Sequence, residues 1–215
     1  MIIFNPVSHG VCLQMYKTTP TVAINRDSVV QLVMANNIRG EVVVENLTYQ
    51  TENILVGNIT NPRKAIFAHY DSIVGDGAID NAGSVEVVIQ TIISNKNLLE
   101  NNLFVFAGSE EESVSSHNGL YGFEIFNRNY GHLLDNASEI LVLDGVGISE
   151  PSFISDHFDW VFYVPEDNKT RKILWMQNDQ TEVMKYYHSS LDTIDHLKQE
   201  YLDQAKELLL KQVNY

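Results

Sequence analysis

The chain has 215 residues, enough for one large domain or two small ones, and 44% of them are hydrophobic, the proportion of a globular protein rather than a low-complexity one. Its formal net charge of -14 argues against nonspecific binding to nucleic acid and against docking on an anionic membrane, because phosphate contacts need clustered Lys and Arg. No apolar run approaches the ~20 residues that span a bilayer. The opening MIIFNPVSHG lacks the charged and apolar regions of a signal peptide, so the expected setting is the cytoplasm. The sole cysteine, Cys12, can form neither an intrachain disulfide nor a thiolate metal site, and reads as a small buried apolar residue.

In chain order, strands are predicted at 21–24 (TVAI), 41–47 (EVVVENL), 53–59 (NILVGNI), 64–70 (KAIFAHY), 103–108 (LFVFAG), 139–145 (EILVLDG), 160–164 (WVFYV) and 173–176 (ILWM). Several are continuous apolar runs, the pattern of strands covered on both faces. The short polar connector between 41–47 and 53–59 predicts a hairpin. Helices are predicted at 81–94, at 120–128 and at about 197–213, where Leu202, Ala205, Leu208, Leu209 and Val213 recur at helical spacing. Strands alternate with helices from residue 64 onward, so the predicted fold class is α/β, with helices on both faces of a mixed sheet.

Ligands of open α/β sheets sit beyond the carboxyl ends of the strands. The polar residues of this chain gather at those positions. His69 and Asp71 end one apolar run, Glu110 and Glu111 follow a second, and Asp144 ends a third. His69, Asp80, Glu110, Glu111, Asp144 and His188 form a set of imidazoles and carboxylates suited to zinc, large enough for two ions if one carboxylate bridges. One of the adjacent glutamates could bind metal while the other handles protons. Asp71, two residues after His69, could hydrogen-bond the far nitrogen of that ring and fix its tautomer. Each residue has a plainer reading by itself: a structural histidine, a solvated Glu-Glu loop, or an Asp80 that caps the next helix. The combination at strand ends is what points to a metal centre.

The same stretches carry a resemblance. AHYDS, GDGAIDNAGS, FVFAGSEEE, LVLDGVG, ISDHFDW and YYHSSLDTID, spread over residues 65–195, resemble in order the motifs of the co-catalytic di-zinc aminopeptidases, a family that includes bacterial leucyl aminopeptidases and aminopeptidase Y and is distantly related to glutaminyl cyclases. The resemblance implies a three-layer α/β/α sandwich of the zinc-exopeptidase, phosphorylase/hydrolase-like kind around a mixed, mostly parallel sheet. It implies that His69 and Asp144 bind one Zn2+, that Glu111 and His188 bind the other, and that Asp80 bridges both. Co2+ or Mn2+ are possible substitutes. Glu110 would be general base and then general acid, Asp71 would orient His69, and Asp192 would support the structure around His188. Residues 155–157 (SDH) match a substrate-side stretch.

The implied activity is a metallo-aminopeptidase that hydrolyses the N-terminal bond of peptides with a free N-terminus through a metal-bridged hydroxide. A single-zinc, glutaminyl-cyclase-like acyltransferase and a non-catalytic metal-binding domain are the alternatives. Asp80-Asn81 favours the hydrolase, because the cyclases resemble Asp-Ser there. After Glu-Glu, SVSSHN resembles a short insertion before GLYG at 119–122, and His117 within it reads as an exposed loop residue. Phe158, Trp160, Tyr163, Met176, Tyr186 and Tyr187 are candidates for either core or a pocket for an apolar first residue. The whole of 1–215 reads as one catalytic domain, with 1–38 resembling the remnant of a preceding segment.

Overall fold

The computed structural model describes residues 1–13, 20–43, 49–111, 120–163 and 172–214. In chain order these form β1 (Ile2–Ile3), β2 (Val22–Ala23), α1 (Val29–Met34), β3 (Ile54–Gly57), β4 (Lys64–His69), α2 (Gly83–Ser94), α3 (Leu98–Asn101), β5 (Asn102–Ala107), α4 (Tyr121–Tyr130), β6 (Glu139–Leu143), β7 (Ser152–Ile154), β8 (Ile173–Gln177), α5 (Gln180–Val183) and α6 (Gln199–Asn214). No helix among the described residues is long and apolar enough to cross a membrane.

The apolar runs become strands because both of their faces are covered. Every residue of β4, β5 and β6 is buried, and alternate side chains enter opposite cores. Ala65, Phe67, Leu103, Val105, Ile140 and Val142 face one helical layer, where Phe123 and Phe126 of α4 pack on them. Ile66, Ala68, Phe104, Phe106, Leu141 and Leu143 face the other, formed by Val87 and Val88 of α2 and Ala205, Leu209 and Val213 of α6. Phe67 meets Phe123 and Phe126 edge-on, with ring centroids 5.8 and 5.0 Å apart. The result is the expected three-layer sandwich.

The six-stranded sheet runs β3-β5-β4-β6-β8-β7. The pairs β4·β5, β4·β6 and β6·β8 are parallel, and the two edge strands β3 and β7 are antiparallel to their neighbours. The four central strands therefore end on the same edge.

Several expected elements differ. Positions 44–47 of the strand predicted at 41–47 lie outside the described residues and 41–43 are not in a strand; the predicted hairpin falls largely on those undescribed residues, and β3 pairs antiparallel with β5. WVFYV is not a strand over its described part. Phe158–Trp160 is a 3-10 turn, and the apolar character serves packing, with Phe162 buried against Phe67 and Phe123 at 4.8 and 5.1 Å. SFI at 152–154 is an unpredicted strand, three residues being too short for a periodic signal. TVAI pairs as β2 with β1, in a separate two-stranded sheet.

Candidate metal centre

Parallel pairing brings the polar strand ends together. His69 closes β4, Asp144 directly follows β6, and Glu110 and Glu111 stand just beyond β5. The turns after α5 and after β4 bring His188 and Asp80 to the same place. All seven of the predicted residues, His69, Asp71, Asp80, Glu110, Glu111, Asp144 and His188, meet there.

His69 is almost fully buried. Its Nδ1 lies 3.1 Å from the main-chain oxygen of Asp71. A carbonyl only accepts, so in the neutral ring Nδ1 carries the hydrogen and the Nε2 lone pair is left free as a metal ligand. Nε2 faces Asp80 Oδ1 at 3.0 Å, Asp144 Oδ2 at 3.8 Å and Glu110 Oε2 at 4.0 Å. The expected bond from the Asp71 carboxylate to this ring is the weaker contact, at 3.5 Å. That carboxylate is turned elsewhere: Oδ1 accepts the Glu110 N–H at 3.0 Å and Oδ2 accepts the Glu111 N–H at 2.9 Å.

This clamp explains how adjacent glutamates share one site. Ser109 breaks the extended path with a φ of +59°, and Asp71 then anchors both following peptides. Gly108 allows the close approach of segment 49–53, since a Cβ there would fall 2.1 Å from Thr51 Oγ1 and 2.7 Å from the Tyr70 hydroxyl.

Asp80 does not cap α2, whose N-cap position is Ala82. Its own peptide is held from a distance: the carboxylate of Asp192 accepts the N–H of Ile79 at 2.7 Å and of Asp80 at 3.1 Å. Asp192 thus supports the Asp80 turn, and its own N–H donates to the Ser189 carbonyl at 3.0 Å, in the turn that carries His188. Asn81 ties the same turn to the end of β6 by donating Nδ2 to the Leu143 carbonyl at 2.9 Å. The outcome is a carboxylate that faces two ways. Oδ1 is next to His69 as above, and Oδ2 lies 3.4 Å from Nε2 of His188. His188 Nε2 also lies 3.2 Å from the Glu111 carboxylate, and the Tyr187 ring stacks on its imidazole at 3.5 Å.

The electrostatics are those of a site crowded with negative charge. Burial pushes Asp144 upward and its neighbour Asp80 adds to this, raising it to about 8. Burial likewise lifts Glu110 well above the ordinary carboxylate range despite the pull of His69, with Glu111, Asp144 and Asp80 adding to the rise. Glu111 is raised by burial and by Asp80. For Asp80 burial acts upward too, but His188 and His69 overcome it and hold the carboxyl low. Burial opposes protonation of the imidazoles, yet Asp80 and Glu111 lift His188 to about 9, and Glu110, Asp71, Asp80 and Asp144 lift His69 well above its usual value.

A divalent cation would relieve this repulsion, and the donors are those zinc takes, imidazole nitrogen and carboxylate oxygen. One ligand atom each from the buried His69, Asp80 and Glu111 lie within 4.8 Å of one another. The residues present therefore fit the metal.

A cavity of about 90 Å³ opens beside the carboxylates. Of the expected pocket residues, Trp160 and Tyr187 line it, joined by Val161, Trp175, Val183 and Met184. Met176 is core instead, and Phe158, Tyr163 and Tyr186 pack against core clusters. Residues 155–157 are exposed and His117 lies outside the described residues. Sequence reasoning also passed over Asn178, whose Oδ1 accepts the N–H groups of Gly147, Ile148 and Ser149 at 2.7, 2.8 and 3.1 Å and so fixes the loop after Asp144. A lone Asn after a strand gives no local signal of that role.

Comparison with solved structures gives the same fold. A glutaminyl cyclase from Porphyromonas gingivalis aligns with a TM-score of 0.60 at 17% identity, over 75% of each chain. BSAP, a zinc aminopeptidase from Bacillus subtilis, aligns with a TM-score of 0.64 at 20% identity, over 99% of this chain and 62% of its own. The LapA aminopeptidase of Legionella pneumophila aligns with a TM-score of 0.57 at 15% identity, over 76% of this chain and 57% of its own. No curated protein matches the sequence. The family model for peptidase family M28 matches residues 55–175, more than half of the chain. The chain belongs to peptidase family M28, a family of zinc-binding metallohydrolases.

Proposed function

We propose that the chain is a zinc-dependent exopeptidase, an aminopeptidase that hydrolyses the first bond of peptides with a free N-terminus. The observation that carries this reading is the division of Asp80: one oxygen faces His69, with Asp144 beside it, and the other faces His188, with Glu111 beside it. His69 and Asp144 would hold one zinc ion and Glu111 and His188 a second, with Asp80 shared between them. Zinc, when bound, lowers the pKa of water and polarises the carbonyl under attack.

The chain's own residues supply the rest. Glu110 faces the centre, and burial raises its affinity for protons above that of an ordinary carboxylate, as a general base needs. It accepts the proton of the attacking water and delivers it to the leaving amine. Tyr187 lines the cavity, and burial together with Asp80 and Glu111 keeps its hydroxyl protonated, so it donates a hydrogen bond toward the carbonyl oxygen. The carboxylates attract the cationic N-terminus of the substrate. The cavity of about 90 Å³ is well below the ~300–1,000 Å³ of pockets that enclose drug-sized ligands, which suits one side chain at a time. Its apolar wall favours an apolar first residue.

A second reading has the P. gingivalis neighbour behind it, a glutaminyl cyclase aligned with a TM-score of 0.60. It would use one zinc and release ammonia without cutting a peptide bond. A peptide mixture incubated with zinc-loaded protein and followed by mass spectrometry separates the two. Stepwise loss of single N-terminal residues is expected. Ammonia loss confined to peptides beginning with Gln, or no change at all, would overturn the aminopeptidase reading.

A further inference from the structure

His188 reaches the centre from an uncommon backbone. Its φ is +52°, in the left-handed region that side chains rarely adopt, so this conformation has to be held by its surroundings. The N-terminal segment supplies the hold. The Leu13 N–H donates to the His188 carbonyl at 2.8 Å, and Cys12 and Ser189 form an antiparallel bridge. Ser8 Oγ donates to the Lys185 carbonyl at 2.5 Å and accepts the Gly10 N–H at 3.1 Å. Asn5 Nδ2 donates to the Met184 carbonyl at 2.9 Å. The approach is close, since a Cβ on Gly10 would lie 2.9 Å from both Cβ and Oγ of Ser189. Ser8 and Ser189 are fully buried. Both halves of the contact lie outside residues 55–175, the part that the family model matches.

We propose that residues 5–13 are a positioning strap for His188, anchored by Ser8. By fixing the carbonyls of Met184, Lys185 and His188, the strap holds the turn from which Nε2 faces Asp80 and Glu111. Ser8 touches no reacting group and acts only through that backbone. The proposal rests on His188 being a zinc ligand.

The test uses the full chain and zinc affinity measured by competition with a chromophoric chelator. Its variants are Ser8→Ala, which removes both hydroxyl bonds, and Gly10→Ala, which pushes on Ser189, with His188→Ala as reference. Each strap variant is expected to weaken zinc binding at least ~10-fold, the scale of losing an outer support of a ligand. The step weakened should be the one that His188→Ala removes. The ring resonances of His188 should shift and those of His69 should stay in place. A lowered melting temperature with zinc affinity and His188 resonances like the parent would make the strap merely structural and overturn the proposal. Parent-like zinc binding by His188→Ala would instead overturn the ligand reading beneath it. Should both strap variants fail to fold, Asn5→Ala, at a half-buried position, carries the same comparison: weakened zinc binding supports the strap and parent-like binding overturns it.

Discussion

Oδ2 of Asp71 accepts the backbone N–H of Glu111 at 2.9 Å, so the residue that follows one candidate histidine also fixes the main chain of a candidate glutamate. Oδ1 does the same for Glu110. Asp71→Asn leaves one acceptor oxygen and places an amide against the other N–H. Stranding one N–H costs about 1–3 kcal/mol, which urea unfolding of the metal-free protein measures. Unchanged stability would show that the clamp carries no energy.

Glu110→Gln keeps the shape of the side chain and removes its basicity. Turnover of an aminoacyl chromogenic amide is expected to fall at least ~10²-fold, the usual contribution of an acid–base group. The fold, by circular dichroism, and the zinc content, by elemental analysis, should remain. Near-parent activity would remove Glu110 from the mechanism.

Zinc binding should release protons. His188 is raised to about 9 and Asp144 to about 8, so near neutral pH both hold protons that must leave before they can act as ligands. Protons compete below those values, so apparent affinity rises as pH rises toward about 9. Calorimetric titration in two buffers of different ionisation enthalpy gives the number released. A proton count of zero near neutral pH would contradict the occupancy assigned to these groups.

The opposite edge of the sheet carries a different charge device. Buried Lys64 lies 2.9 Å from Glu139, which also takes hydrogen bonds from Lys172 and, at 2.7 Å, from Gln212 of α6. Burial pushes Glu139 upward, but Lys172, Lys64 and Gln212 outweigh it and lower the carboxyl from 4.5 to about 2. A group depressed in the folded state contributes stability above its unfolded value and loses it as pH falls through the folded one. Unfolding free energy should therefore decline between pH 4.5 and about 2. Glu139→Gln should flatten that decline, and an unaltered slope in the variant would show that Glu139 does not titrate there.

Local pattern was enough for much of this protein. Lys64–His69, Asn102–Ala107 and Glu139–Leu143 announce themselves as apolar runs that end in polar residues, because a strand buried on both faces has little choice of side chain until it leaves the core. The stripe of α2 and that of α6 are equally local. His69, Glu110, Glu111 and Asp144 could thus be named from strand-end position and residue type, and Asp80 and His188 from residue type. WVFYV misled for the same reason: apolar density marks burial, and Phe162 is buried without belonging to a strand.

What the sequence by itself determined is the central strands, most of the major helices and the chemistry at the strand ends, since these depend on residue type and short-range spacing. Tertiary structure alone decided who holds whom. Asp192 anchors the peptides of Ile79 and Asp80, Asn178 gathers the loop after Asp144, and Ser8 grips the carbonyl of Lys185. Each is a hydrogen bond between groups far apart in the chain, and such a bond leaves no periodicity behind it, because its partner is chosen by the packing of whole layers rather than by neighbouring residues.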